Sequence, residues 1–398
     1  MPGMPLARRD EPRIAVSALD KARLAPVASL SKSTGLSSGR RLALPAGHGA
    51  TRHRAMLRIT LELLSPLLRG RIDDAVLVGR PTRLTAFPPC EERAMLILDE
   101  AAVRGLIGLR ALIPAMERAL SALSAGKVVQ PVRVMVPVAE QGGFLGSMPA
   151  YAGAQLGAKL VTFFPNNQDV PTHHALVILF RPETGQPLVV MDGRLITEMR
   201  TAAVSAAATR LLARPDSPVL AILGSGVQAR SHLEALRLVR EFREVRVWSP
   251  RNAGAFAHRH QLRLAPSAED AVRGADVIVV ATTSRTPVLR GEWLSPGVHI
   301  NAVGAPRPDW RELDDQVLRK AKLYVESREA AARESGDVIA AGAIFAEIGE
   351  VIGGTKPGRQ SAEEVTLFKS VGVAAEDLAS AELVYREALA AHPPAKES

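Results

Sequence analysis

The sequence predicts an α/β protein in which a doubly wound parallel sheet follows a mostly antiparallel one. Three observations carry this prediction. The apolar run Val219–Leu223 enters a glycine turn that opens a helix, further apolar segments then alternate with helical ones, and the strands ahead of residue 195 are short and joined by Gly- and Pro-bearing turns. A continuous apolar run marks a strand buried on both faces of a parallel sheet. Alternation of strand and helix along the chain marks the doubly wound arrangement.

The chain of 398 residues is 47% hydrophobic and 23% charged, enough for two ordinary globular domains. Its formal charge is +9, but residues 1–93 hold 16 Lys and Arg against 8 Asp and Glu, a net +8, which leaves the remainder at +1. A nearly neutral folded part argues against a nucleic-acid partner. Residues 1–55 are rich in Arg, Ser, Ala and Pro without a sustained apolar period and read as disordered. They resemble a transit peptide in composition but carry neither an amphipathic helix nor a secretory apolar core. The apolar stretch 57–68 is too short and too charged to span a membrane. We expect residues 1–93 to form a basic, poorly structured extension, with the working chain beginning near Met95. The single cysteine, Cys90, excludes an internal disulfide and fits a reducing cytoplasm.

From Met95 the pattern predicts a strand, a helix over 99–106 and a longer amphipathic helix over 110–123. Strands follow over 130–137, 143–151, 157–163, 174–180 and 187–191. Arg133 and Lys159 stand among apolar neighbours on these strands. A cation there is costly without an anion, which either an ion pair within the domain or a substrate carboxylate could supply. The helix 195–212 carries Arg200, Thr201 and a run of small residues; tight helix packing would explain it, and so would a phosphate near its start.

After the glycine strand come strands at Glu244–Trp248, 262–265, 277–281, 298–303 and 323–326, six in all with the first. Gly224 and Gly226 precede Val227, Gln228 and a helix with apolar residues at Leu233, Leu236 and Val239. Free amide hydrogens and the helix dipole at such an N-terminus favour an anion, and in this strand context the anion is a dinucleotide pyrophosphate. An NAD site normally ends the second strand on Asp or Glu, about 20 residues beyond the glycines, to hold the ribose. Here that strand runs into Ser249, Pro250, Arg251 and Asn252. Ser249, Arg251 and Asn252 could receive a 2′-phosphate instead, unless Arg251 is merely solvated, so NADPH is expected over NADH. The histidines at 173–174 and at 258 and 260 lack partners at metal-ligand spacing, and no metal is expected.

With these segments in place, the chain resembles the ornithine cyclodeaminase/mu-crystallin family, and within it the ketimine reductases, from about Met95 to about Leu389. The segments that carry the resemblance are 130–133, 148–151, 159–163, 191–193, 200–205, 224–229, 300–304, 307–315, 334–337 and 368–370. The resemblance implies a Rossmann-type domain over 201–359, inserted in a mixed α+β substrate and dimerisation domain made of 94–200 and 360–392. It implies a homodimer acting on a small imino acid with a carboxylate. Arg133, Lys159 and Arg200 would line that carboxylate. Thr172 and His173 would lie near the nicotinamide, with Arg200, Thr201, Gly224, Gly226, Val227 and Gln228 towards the phosphates. Thr283 and Ser284 would flank the adenosine, and Val303, Lys369 and Ser370 would close the site. The implied activity is NADPH-dependent reduction of cyclic ketimines.

One position departs from the family pattern. Pro306 stands where cyclodeaminases and the related alanine dehydrogenases place an aspartate, and proline has no acid, base or donor to offer. A cyclodeaminase or alanine-type dehydrogenase would have to use a neighbour such as Asp309, and a non-catalytic NADPH-binding protein is the alternative from another class.

Overall fold

The computed structural model describes residues 95–391; the expectations for residues 1–93, Cys90 included, lie outside the described residues. The chain opens with β1 (Leu96–Leu98), α1 (Glu100–Leu106) and α2 (Leu109–Ser124). Asp99 starts α1 because its carboxylate accepts the Ala102 amide at 2.9 Å, satisfying an N–H the helix cannot. Five strands follow: β2 (Val134–Val138), β3 (Gly143–Ala152), β4 (Gln155–Phe163), β5 (His173–Phe180) and β6 (Pro187–Asp192). They form a six-stranded sheet in the order β1-β6-β5-β4-β3-β2, antiparallel except for β1 on β6.

The pleat separates the two faces of this sheet. Met148, Lys159, Val177 and Met191 point to the buried face, while Leu145, Leu160 and Leu176 stand exposed on the other, with Ile97 exposed on β1. The expected strand at 130–137 begins only at Val134, so Arg133 lies at its entrance rather than within it.

Helix α3 (Arg194–Leu212) leaves the sheet and carries the chain to the second one. All its residues from Arg200 to Thr209 are buried, and the run of alanines lets α2 and the next helix pack closely on it. Next come β7 (Val219–Leu223), α4 (Val227–Leu236), β8 (Glu244–Trp248), α5 (Ala253–His260), β9 (Arg263–Leu264), α6 (Ala268–Val272), β10 (Val277–Val280) and β11 (His299–Ala302). The rest is α7 (Asp315–Lys320), β12 (Ala321–Val325), α8 (Arg328–Glu334), α9 (Gly336–Ala341), β13 (Ala346–Glu347), α10 (Ile348–Ile352), β14 (Val365–Lys369) and α11 (Ala374–Ala391).

This second sheet is parallel throughout and has eight strands, in the order β13-β12-β14-β11-β10-β7-β8-β9. The doubly wound prediction stands, with two strands more than the six expected. β14 pairs with β11 on one side and β12 on the other, so it is a central strand. The stretch 360–392, expected wholly in the substrate domain, therefore divides: β14 belongs to the nucleotide sheet, and α11 lies across β3, β4 and β5 of the first. Because all eight strands are parallel, their carboxyl ends share one edge, where open α/β sheets bind ligands. Among the described residues, no helix is long and apolar enough to cross a membrane.

Candidate active site

The carboxyl edge of the eight-stranded sheet gathers most of the residues expected at a cofactor. Gly224, at φ +130°, donates its N–H to the Trp248 carbonyl at 2.8 Å, and a β-carbon there would collide with the carbonyl oxygen of Ala281. Only glycine suits that turn. Gly226 caps α4 in open space, without a side-chain hydrogen bond or an acidic residue in the first turn, so the first amides of the helix are unspoken for. Val227 is exposed, and the buried Oε1 of Gln228 has no hydrogen-bond partner.

Across the turn, Ser225 Oγ meets Ser249 Oγ at 2.8 Å and donates to the Arg251 carbonyl at 3.0 Å, leaving the Arg251 side chain exposed. Asn252 adopts a left-handed conformation, φ +63°, ahead of α5. Thr283 is exposed after β10, and Ser284 donates to the Thr286 carbonyl at 2.6 Å. Val303 follows β11, and the Ser370 amide donates to Ala302 at 3.0 Å. A glycine cradle, free helix amides and an orphaned buried amide oxygen fit a dinucleotide. Two expected contacts are engaged elsewhere. The Thr201 hydroxyl donates to the Thr197 carbonyl at 2.8 Å. The fully buried Lys369 turns inward, its ammonium 3.2 Å from Asp337 and 3.7 Å from Glu312 and hydrogen-bonded to the Gly304 carbonyl. Burial pushes the Glu312 carboxyl up to about 7, against the pull of Lys369.

Beside this edge the three expected cations come together, each with an internal anion. Lys159 Nζ lies 2.7 Å from Asp377 Oδ2, and Arg200 Nε donates to Asp377 Oδ1 at 3.2 Å. Arg200 Nη1 donates to Glu376 at 2.9 Å. Arg133 Nη2 lies 2.7 Å from Glu334 and donates to the carbonyls of Val371 and Gly372, both at 2.7 Å. The amides of Val371 and Gly372 in turn donate to the two oxygens of Glu326, each at 3.1 Å. The ion-pair alternative raised for Arg133 and Lys159 is thus realised, and Arg200 is paired as well, yet the pairs do not exhaust the cations, because Arg133 Nε is buried with no hydrogen-bond partner. Lys159 has three N–H donors and meets only Asp377 among these carboxylates.

Burial dominates the titration of the cluster. It brings the Lys159 ammonium down to about 8 although Asp377 pulls the other way, with Arg200 and Arg133 adding repulsion. Burial likewise pushes Glu376 up to about 8 despite Arg200. Burial opposes the ionised Asp377 too, but Lys159 and Arg200 outweigh it and hold that carboxyl below its usual value. His173, at the start of β5, is held near 4 by burial and by the neighbouring Lys159 and Arg200, so its imidazole is neutral at physiological pH. Thr172 beside it is exposed, and its carbonyl accepts the Phe164 amide at 2.8 Å.

A model of the ornithine cyclodeaminase/mu-crystallin family matches residues 93–392. The chain belongs to that family. Among curated members, the ketimine reductase mu-crystallin of Mus musculus is 56% identical over 286 residues, 69% of this chain and 91% of its own. Among solved members of the family, the Thermococcus litoralis Delta(1)-pyrroline-2-carboxylate reductase in complex with NADH and L-proline is 39% identical, with a TM-score of 0.71 over 75% of this chain and 98% of that one. An archaeal alanine dehydrogenase dimer with bound NAD is also 39% identical, with a TM-score of 0.71 over 75% of this chain and 97% of that one. This family member is a nicotinamide-dependent oxidoreductase acting on C=N/CH–NH bonds.

The residues that sequence reasoning missed are the anions: Glu326, Glu334, Asp337, Glu376 and Asp377. Half of the signal was present, since a cation among apolar strand residues calls for a carboxylate, but only the fold shows that Glu376 and Asp377 supply it.

Proposed function

We propose that the chain reduces the C=N bond of small cyclic imino acids with NADPH. The observation that carries the reading is the buried, unpartnered Nε of Arg133 beside Lys159 and Arg200, next to the carboxyl edge that fits a dinucleotide. A bound nicotinamide supplies the hydride. The spare donors of Arg133 and Lys159 hold the substrate carboxylate, which fixes the ring and sets its C=N carbon towards the cofactor edge. Orienting reactants in this way can supply several kcal/mol of the barrier, out of a maximum of about 7–11. Lys159, with a pKa of about 8, is protonated at neutral pH and delivers a proton to the nitrogen as the carbon is reduced. The neutral His173 borders the site without adding charge to compete for the carboxylate.

For the cofactor, the absence of a carboxylate at the end of β8 and the exposed Arg251 beside Ser249 and Asn252 support NADPH. Pro306 is exposed on the loop after β11 and offers no acid, which weighs against a deamination that works through that position. The homodimer reading is supported by the apolar outer face of the six-stranded sheet. Leu145, Leu160, Leu176 and Tyr151 are all exposed there on one face, and clustered exposed apolar residues favour association. The single Cys90 and the reductive chemistry suit the cytoplasm.

The test is a spectrophotometric screen of NADPH oxidation against five- and six-membered cyclic imino acids, with NADH and ornithine as controls. Turnover on a cyclic imine with NADPH preferred is expected. Ammonia release from ornithine without net NADPH consumption would replace this reading with a cyclodeaminase.

A further inference from the structure

Asp377 joins two of the three cations on one carboxylate. Its Oδ2 is 2.7 Å from Lys159 on β4 and its Oδ1 is 3.2 Å from Nε of Arg200 on α3, and all three side chains are buried. It stands in the first turn of α11, just beyond the segment after β14 in which Val371 and Gly372 offer their carbonyls to Arg133. That segment is anchored to the nucleotide sheet by the Ser370 amide on Ala302. One short stretch of chain therefore places all three cations relative to the cofactor edge.

We propose that Asp377 is the positioning residue of the imine site, holding the Lys159 ammonium and the Arg200 guanidinium on one carboxylate so that Lys159 stays charged and aimed as proton donor. This rests on the reductase reading above. Lys159 and Arg200 repel each other, and both are buried, where charge is weakly screened. Arg200 has a second hydrogen-bond acceptor in Glu376, whereas Lys159 has Asp377 alone. Removing the Asp377 charge therefore leaves an uncompensated buried ammonium, which responds by releasing its proton. The other titratable groups around the pair are Glu376 on α11, Arg200 on α3, Arg133 ahead of β2, His173 on β5 and Glu326 after β12. At neutral pH Glu376 and His173 are both uncharged, so neither can stand in for Asp377.

The decisive variant is Asp377→Asn, which keeps the shape and removes the charge. Lys159 must be protonated to act, and losing its anion lowers its pKa, so the basic limb of the kcat–pH profile moves to lower pH. A shift of one unit or more is expected, which from a starting pKa of about 8 is at least about a fivefold loss of kcat at pH 8 that is recovered as the pH is lowered. NADPH affinity, read by fluorescence titration, stays within about twofold of wild type, as the pyrophosphate loop is untouched. A lowered kcat with the limb unmoved would overturn the proposal. In parallel, NMR titration of lysine labelled with 15N at Nζ, with Lys159→Met to assign the signal, follows Lys159 without any turnover. A Lys159 pKa unchanged by Asp377→Asn sinks the proposal even if the substrate class proves different, and a wild-type enzyme silent on every cyclic imine sinks the reductase reading instead. Should the Asn protein fail to fold, Asp377→Glu carries the test: charge kept but displaced should hold the limb in place and cut kcat at least tenfold, and wild-type kcat would refute a positioning role.

Discussion

Gly372 lies directly against Arg200: a β-carbon built on Gly372 would stand 2.5 Å from a guanidinium nitrogen, and the backbone there has φ +77°. Two independent reasons thus exclude a side chain at this position. Left-handed backbone costs an L-residue about 1–2 kcal/mol, and the guanidinium cannot retreat without leaving Asp377 and Glu376. We expect Gly372→Ala to lower kcat/KM for the imine at least tenfold and to leave NADPH binding nearly unchanged. Steady-state kinetics beside a binding titration reads the split, and near-wild-type kinetics would remove Gly372 from the site.

Arg133→Ala should raise KM for the imino acid far more than it weakens NADPH. A hydrogen bond to a charged group contributes about 1.5–3 kcal/mol, so a loss of roughly 10- to 150-fold is expected. Equal losses for substrate and cofactor would contradict the carboxylate assignment.

Arg251→Ala should reduce the ratio of kcat/KM with NADPH to that with NADH by about tenfold or more, on the scale of one charge-assisted contact. An unchanged ratio would mean that Arg251 is a solvated loop residue.

The outer face of the six-stranded sheet offers a test of assembly. Leu176 is 52% exposed and Leu160 43% on neighbouring strands, so Leu176→Asp puts a charge into any interface built on that face. Sedimentation velocity should find the wild type as a dimer and the variant as a monomer; a variant that stays dimeric would move the interface elsewhere.

Glu312 has its folded pKa raised by burial from 4.5 to about 7. Such a group contributes stability that is present below pH 4.5 and lost as the pH rises through about 7. Glu312→Gln removes that dependence, so the difference in Tm between wild type and variant should favour the variant increasingly from pH 5 to pH 8. Parallel Tm curves across this range would argue against a buried, protonating Glu312.

The nucleotide half was legible because its signals are local. Val219–Leu223 and Glu244–Trp248 are uninterrupted or alternating apolar runs, and the structure places strands over those same residues. β14 was missed because Thr366 and Lys369 break its apolar run, and their partners lie far away, Leu212 and Asp337 among them. The cations Arg133 and Lys159 could be singled out from apolar neighbours alone. Their anions could not, since Asp377 is 177 positions from Arg200 and nothing short of the fold brings them together. Lys369 illustrates the same limit: the family resemblance put it at the cofactor, and only the packing of Gly304, Glu312 and Asp337 around it reveals an inward strut.

The central position of β14 also bears on how the protein is made. β11 and β12 leave the ribosome well before the strand that joins them, so until residues 365–369 emerge each presents a bare parallel edge able to pair with the wrong chain. A frameshift or stop codon shortly after residue 360 would cost more than a terminal helix: it would split the nucleotide sheet in two and strand Lys159 and Arg200 without their carboxylates.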